Sequence, residues 1–207
     1  MATEVDICNL ALSHFGNRAE VIAITPPDGS KEARLCSLFY PIARDALLEK
    51  RDWGFARRRA VLADLGSPPA EWLYRYAYPA NILKPRALQV SGAAKPITQG
   101  GYPFVIENDA VAGTVILTNV ATAELWYTIS VTEVGRYPAS FRDALSYWLA
   151  SYLVGPLTQD RTAVKDLRAT ALTFFGEAAM ENANIEKQQT KDNINRQYPI
   201  SAPRRSV

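Results

Sequence analysis

A stretch with strand periodicity lies between two stretches with helical periodicity, and this order constrains the fold more than any other feature of the chain. In residues 72–78, aromatic side chains occupy alternate positions, which is typical of a strand with one aromatic face. Further runs rich in β-branched and aromatic residues, separated by Gly, Asn and Asp, are residues 87–90, 104–107, 114–118 and 124–131. These runs predict a small, mostly antiparallel sheet.

Helical periodicity occurs on both sides of this sheet. The first helix should begin at a capping box formed by Thr3 and Asp6, and the second should begin after Ser30. Pro41 predicts either a bend in the second helix or two abutting helices. The strongest amphipathic pattern follows Pro138, and Gly155-Pro156 is expected to end that helix. A fourth helix is expected over residues 160–189, with apolar residues seven positions apart.

The fold class predicted from this order is α+β. It consists of a mainly α-helical bundle of about four helices, formed by residues 1–66 and 134–189. A small antiparallel β domain, residues 67–133, is inserted into the bundle, and residues 190–207 are expected to form an extended C-terminal arm. The arm is polar, contains proline and is net basic, so we expect it to become ordered only on binding a partner.

Charge and cysteine content exclude several classes of protein. The 23 basic and 21 acidic side chains nearly cancel, so the molecule has no overall field that would attract nucleic acid or an anionic membrane. Cys8 and Cys36 lack metal-ligand spacing, and we expect two buried thiols. Neither a signal peptide nor a membrane span is recognised, which predicts folding in a reducing cytoplasm.

Catalytic motifs for phosphate binding, nucleophilic hydrolysis or zinc binding are missing from the sequence. The single histidine, His14, lies on an apolar helix stripe and is expected to be a packed structural residue. Acidic residues near the second helix are interleaved with basic ones, which favours local ion pairs. An alternative hypothesis, a hydrolase of cell wall or nucleic acid, would depend on the carboxylates Glu49, Asp52, Glu107 and Asp109.

The densest positive feature is the triplet Arg57, Arg58 and Arg59. These arginines could contact phosphate, another subunit or only solvent. In a ring, one such cluster would be repeated in every subunit and could line a charged channel. A third hypothesis is therefore a small DNA-binding module based on this triplet.

A series of landmarks in a fixed order resembles phage head-to-tail adaptors, also called tail accessory factors or tail tubular protein A. The series begins with the segment ICNLALSHFG, residues 7–16, and continues through Ala33, Cys36, Tyr40, Arg44, Asp45, Leu48, Arg51, Trp53, Phe55, Ala56, Tyr78 and Pro79. It ends with residues 104–107, 117–118 and 125–127, followed by Pro138, Phe141, Ala144, Leu145, Leu149 and Ala150. The likeness covers nearly the whole chain.

The resemblance implies a structural subunit that is not an enzyme and needs no cofactor. Such subunits form a dodecameric ring beneath the portal protein, carry the tail nozzle or tube on the other side and continue the channel for packaged double-stranded DNA. The expected location is the head-tail junction of the virion, after assembly in the host cytoplasm. Because adaptor C-terminal arms embrace the portal, the resemblance assigns portal binding to Arg196, Gln197, Tyr198, Pro199, Ile200, Arg204 and Arg205.

Overall fold

The computed structural model describes residues 2–92 and 101–197, with side chains described up to residue 188. It contains the helices α1 (Glu4–Ser13), α2 (Lys31–Lys50), α3 (Ala139–Thr158) and α4 (Arg161–Gln197). The strands are β1 (Arg57–Val61), β2 (Tyr74–Ala77), β3 (Ile82–Val90), β4 (Phe104–Asp109), β5 (Gly113–Thr118) and β6 (Ala123–Ile129). The predicted α+β class is confirmed.

The chain divides into two compact units. The helical unit contains Ala2–Phe39 and the chain from Tyr137 onwards, and the β unit contains Tyr40–Arg136. The division therefore falls inside α2, next to Pro41. Because α2 continues through Pro41 as a single helix, the alternative of two abutting helices is wrong.

In the helical unit, α3 packs against both α1 and α4. α1 begins at the predicted capping box, in which the Thr3 hydroxyl accepts a hydrogen bond from the Asp6 amide and the Asp6 carboxylate accepts one from the Thr3 amide. Such a cap supplies partners for backbone N–H groups that have none inside the helix. The buried face of α3 includes the predicted stripe residues Phe141, Ala144, Leu145, Trp148, Leu149 and Leu153.

Two helix ends lie further along the chain than predicted. α3 does not stop at Gly155-Pro156 but runs to Thr158, and its last turn is closed by the hydrogen bond from the Gln159 amide to the Gly155 carbonyl. A proline this close to the end removes only one backbone hydrogen bond. α4 extends to Gln197, so the prediction of an extended arm from residue 190 is wrong up to that point. Its end agrees with the presence of Pro199, because proline disfavours helical backbone in the preceding residue.

The β unit contains two three-stranded antiparallel sheets where the sequence predicted one. Sheet I has the order β1-β6-β3 and sheet II has the order β2-β5-β4. One apolar cluster draws on both sheets, so the sheets face each other across a shared core. Its buried members are Leu62, Tyr76, Leu88, Ile116, Val120, Ala123, Leu125 and Tyr127.

The β region also begins earlier than the predicted residue 67. The segment Arg57–Val61, which was assigned to the helical domain, is a strand that pairs with β6 in antiparallel register, Arg59 opposite Trp126. Its partner lies far away in the sequence, so a pattern read over a short window could not reveal the pairing.

Candidate functional site

The arginine triplet lies on β1, and its three side chains do not form one patch. Successive side chains of a strand point to opposite faces, so Arg57 and Arg59 share one face and Arg58 lies on the other. The Arg57 guanidinium is 2.9 Å from the Asp52 carboxylate. The Arg59 guanidinium lies over the Trp126 ring, 3.8 Å from its centroid. Two of the three arginines are therefore engaged within the β unit.

Arg58 lies at an open cavity of about 490 Å³ on the opposite face of β1. The other lining residues are Ala80, Asn81, Ile82, Leu83, Tyr127, Ile129, Ser130 and Thr132. The lining has one cation, hydroxyl groups and an amide, and it has no carboxylate. Such a set could contact an anionic oxygen, but it offers no acid and base pair for hydrolysis.

Sequence reasoning missed Arg86, which joins β3 to the end of α2. Its Nη2 donates to the backbone carbonyls of Leu48 at 2.9 Å, Glu49 at 3.0 Å and Arg51 at 2.6 Å. Its Nε donates to Thr128 Oγ1 at 2.7 Å. Partial burial lowers the pKa of this guanidinium, and nearby carboxylates oppose that effect. A cation at a helix C-terminus stabilises carbonyls that have no partner inside the helix.

Asp45 makes a second internal contact near the same helix. Its Oδ1 accepts hydrogen bonds from Ser130 Oγ at 2.7 Å and from Arg44 Nε at 2.8 Å. No local sequence pattern predicts the contacts of Arg86 or Ser130, because each residue lies in a strand region whose partner is distant along the chain. These residues hold the β unit together.

The acidic residues of the hydrolase hypothesis are not brought together as a catalytic pair in the described contacts. Asp52 is paired with Arg57, as noted above. Asp109 accepts hydrogen bonds at 2.8 Å from the amides of Val111 and Ala112 and is 2.9 Å from Arg75 Nη1. Those turn amides and Arg75 lower the pKa of Asp109, since they stabilise its charged form. Its contacts are those of a turn residue.

His14 is packed as predicted, in a stack of rings that connects the C-cap of α1 with α3 and α4. Its ring lies parallel to that of Tyr147 with centroids 3.7 Å apart, and Tyr147 stacks on Phe174 with centroids 4.4 Å apart. His14 Nε2 is 2.8 Å from Ser146 Oγ. Burial lowers the pKa of His14, because desolvation disfavours the charged ring.

Cys8 and Cys36 are both fully buried, as predicted, and lie on α1 and α2 within the helical unit. A hydrogen bond with the Cys36 thiol, together with burial, raises the pKa of Cys8. A thiol whose pKa is raised is a poor nucleophile at neutral pH. Because both side chains are fully shielded from solvent, the pair belongs to the apolar core.

The predicted portal-binding residues fall at the end of the described chain. Arg196 and Gln197 lie in the last turn of α4. Tyr198, Pro199, Ile200, Arg204 and Arg205 lie outside the described residues. Before that point α4 carries the exposed apolar side chains Leu172, Met180 and Ile185.

In residues 2–92 and 101–188, whose side chains the structure describes, no group of three or more His, Cys, Asp or Glu side chains is placed to hold a metal ion. None of the helices in this described part combines the length and the apolar character that crossing a bilayer requires.

Comparisons with known proteins add no relative to this description. No model of a known protein family matches the chain. No curated protein matches it with significance.

Proposed function

We propose that this chain is a head-to-tail adaptor subunit of a tailed bacteriophage. In this role it forms a ring beneath the portal, continues the DNA channel and provides a platform for the tail. The proposal starts from the ordered landmarks between residues 7 and 150, and the two-unit architecture is compatible with it. The function is mechanical, and no bond is made or broken.

The observation that carries the proposal is the length of α4. α4 has 37 residues and its packing partner α3 has 20, so α4 is about 25 Å longer at a rise of about 1.5 Å per residue. A helix stabilised by one partner over half its length leaves the remainder available for another protein. Met180 and Ile185 are 71% and 45% exposed there, which is suitable for an apolar contact with a portal.

Portal binding in this proposal uses the last part of α4 and the residues that follow it. The basic side chains Arg196, Arg204 and Arg205 would supply charge-assisted contacts next to the apolar ones. DNA would pass through the ring without sequence-specific contacts. Within the triplet, Arg58 is the candidate for a contact with DNA phosphate, because its side chain is exposed at a cavity.

Mixing the protein with the portal protein of the same phage tests this function. Native mass spectrometry and negative-stain imaging should show a ring of adaptor subunits with the portal's symmetry. Charge reversal of Arg196, Arg204 and Arg205 to Glu should weaken binding by at least about tenfold, the effect of losing roughly one charged hydrogen bond. A matched control is reversal of Arg161 and Lys165 in the first turns of α4, which should leave binding unchanged. Absence of any complex with the unaltered chain would overturn the proposal.

The alternative, a virion-associated hydrolase, has less support, because two of its four carboxylates, Asp52 and Asp109, have structural partners. Its test is a muralytic and nuclease assay of the chain and of a variant in which Glu49, Asp52, Glu107 and Asp109 are replaced by the corresponding amides. Activity that the unaltered chain shows and the variant lacks would favour the alternative.

A further inference from the structure

The β unit has two strand edges that could accept another strand. Within the described residues, β1 pairs only with β6, and β4 pairs only with β5. An edge strand presents backbone N–H and C=O groups to its surroundings and is a natural template for pairing with another chain. In contrast, other segments of the same chain form hydrogen bonds with the outer sides of β2 and β3.

These two open edges lie on opposite sides of the β unit. The chain leaving β1 runs along β2, where the Ala77 amide donates to the Ala63 carbonyl at 2.9 Å. The chain entering β4 runs along β3, where the Tyr102 amide donates to the Leu88 carbonyl at 2.8 Å. β1 and β2 therefore share one side, and β3 and β4 share the other. Contact between β1 of one copy and β4 of the next is heterologous and can propagate into a closed ring.

The two edges also have opposite charge. β1 carries Arg58 and Arg59, which are exposed and have no ion pair among the described residues, whereas Arg57 is paired with Asp52. β4 carries Glu107, an exposed carboxylate for which the described residues provide no hydrogen bond or ion pair. Both faces of β4 are open, since Val105 and Ile106, which are consecutive, are 40% and 39% exposed. An edge strand with exposed apolar residues on both faces is normally covered in an assembly.

The alternating direction of the backbone N–H groups identifies which amides of β1 point away from β6. The Leu62 amide donates to the Ala123 carbonyl at 2.8 Å, so Leu62 faces β6. Because hydrogen-bonding direction alternates along a strand, the amides of Arg59 and Val61 point away from β6.

We propose that β1 of one subunit pairs edge to edge with β4 of a second copy of this chain, so that the strand carrying Arg58 and Arg59 lies next to the strand carrying Glu107. The inference rests on the proposed ring and names the surface that closes it. Main-chain hydrogen bonds between the strands supply affinity, and the opposite charges prevent β1 from pairing with β1.

A proline test separates the backbone contact from the side-chain charge. Arg59→Pro removes an outward amide and leaves the β1–β6 ladder intact, whereas Arg59→Ala removes only the side chain. On the portal, ring completion should require about tenfold more Arg59→Pro protein than Arg59→Ala protein, the effect of about one backbone hydrogen bond. Thermal unfolding of both variants checks that each is folded. Equal ring completion by the two folded variants would overturn the proposal.

A charge exchange gives a second measurement that does not depend on proline. Glu107→Arg alone and Arg58→Glu with Arg59→Glu should each weaken ring completion, and combining all three changes should restore at least part of it. If Glu107→Arg instead weakens only attachment of the tail protein, the β4 edge belongs to that partner and the proposal is wrong. Failure of the unaltered chain to form any ring contradicts the proposed function itself. Normal rings from all the variants contradict only the strand pairing.

Discussion

The β unit and the helical unit each have an apolar core, and they differ in the contacts that each adds to it. In the β unit, charged side chains bind backbone groups: Arg86 binds the carbonyls at the end of α2, and Asp109 binds the amides of a turn. In the helical unit, the ring stack of His14, Tyr147 and Phe174 joins the C-cap of α1 to α3 and α4. A helix satisfies its own backbone, whereas loops and strand ends need side-chain partners. Replacing a polar side chain should therefore lower stability most where the backbone is irregular.

The largest expected effect tests the apolar side of this comparison. Phe141 on α3 is fully buried, so Phe141→Ala should lower the free energy of unfolding by about 3–5 kcal/mol. Chemical denaturation measures the change. Leu172→Ala, on the exposed surface of α4, is the control and should cost less than about 1 kcal/mol. Similar costs for the two variants would show that the helical unit does not depend on its core.

The next effect tests the polar side of the comparison. Arg86→Met keeps much of the side-chain volume but leaves three carbonyls without their donor, which should cost about 2–3 kcal/mol. Lys84→Met, on the same strand and exposed, is the matched control and should be nearly neutral. A loss below about 0.5 kcal/mol for Arg86→Met, within the range of ordinary surface changes, would remove the distinction between the units.

A smaller effect isolates the ring stack. Tyr147→Leu retains an apolar side chain but loses both ring contacts, and we expect a loss of about 1 kcal/mol. Tyr147→Phe keeps the stack and should leave stability almost unchanged. If Phe and Leu at this position give the same denaturation midpoint, stacking contributes nothing beyond apolar burial.

The smallest expected effect concerns a loop in the helical unit, whose irregular backbone should also depend on a polar side chain. Hydrogen bonds from Ser30 and from the Ile22 amide hold the pKa of Asp28 at about 2, below its ordinary 3.8. A lowered carboxylate pKa gives stability that is complete above pH 3.8 and is lost as pH falls towards about 2. Asp28→Asn should therefore flatten the acid side of the stability profile in this window. An unchanged slope would show that this loop contributes no acid sensitivity.

Local patterns in the sequence predicted much of the fold. The stripe on α3 and the capping box of α1 depend on residues only a few positions apart, and both were predicted correctly. The C-terminal ends of α3 and α4 were predicted too early. α3 continues past Pro156 because a proline near a helix end costs little, and α4 continues to Gln197 because no helix-breaking residue precedes Pro199. β1 was missed for another reason: three consecutive arginines give no alternation of apolar and polar residues.

The candidate site was less predictable than the fold. The triplet was correctly identified as the densest positive feature, but only the strand geometry separates Arg58 from its neighbours. Arg86 had no signal, since its role depends on carbonyls more than thirty positions earlier in the chain. Such contacts arise from tertiary pairing and are absent from any short window of sequence.

Close arginine–tryptophan contacts, one in each unit, have a practical consequence for spectroscopy. Arg59 covers Trp126 in the β unit, and Arg168 covers Trp148 in the helical unit at 3.7 Å. A guanidinium against the ring limits the access of collisional quenchers and alters the polarity that the excited indole senses. Trp53 and Trp72 also belong to the β unit, so replacing Trp148 alone leaves emission from the β unit only. Replacing Trp53, Trp72 and Trp126 leaves emission from the helical unit only. The unfolding of each unit could then be followed by its own fluorescence.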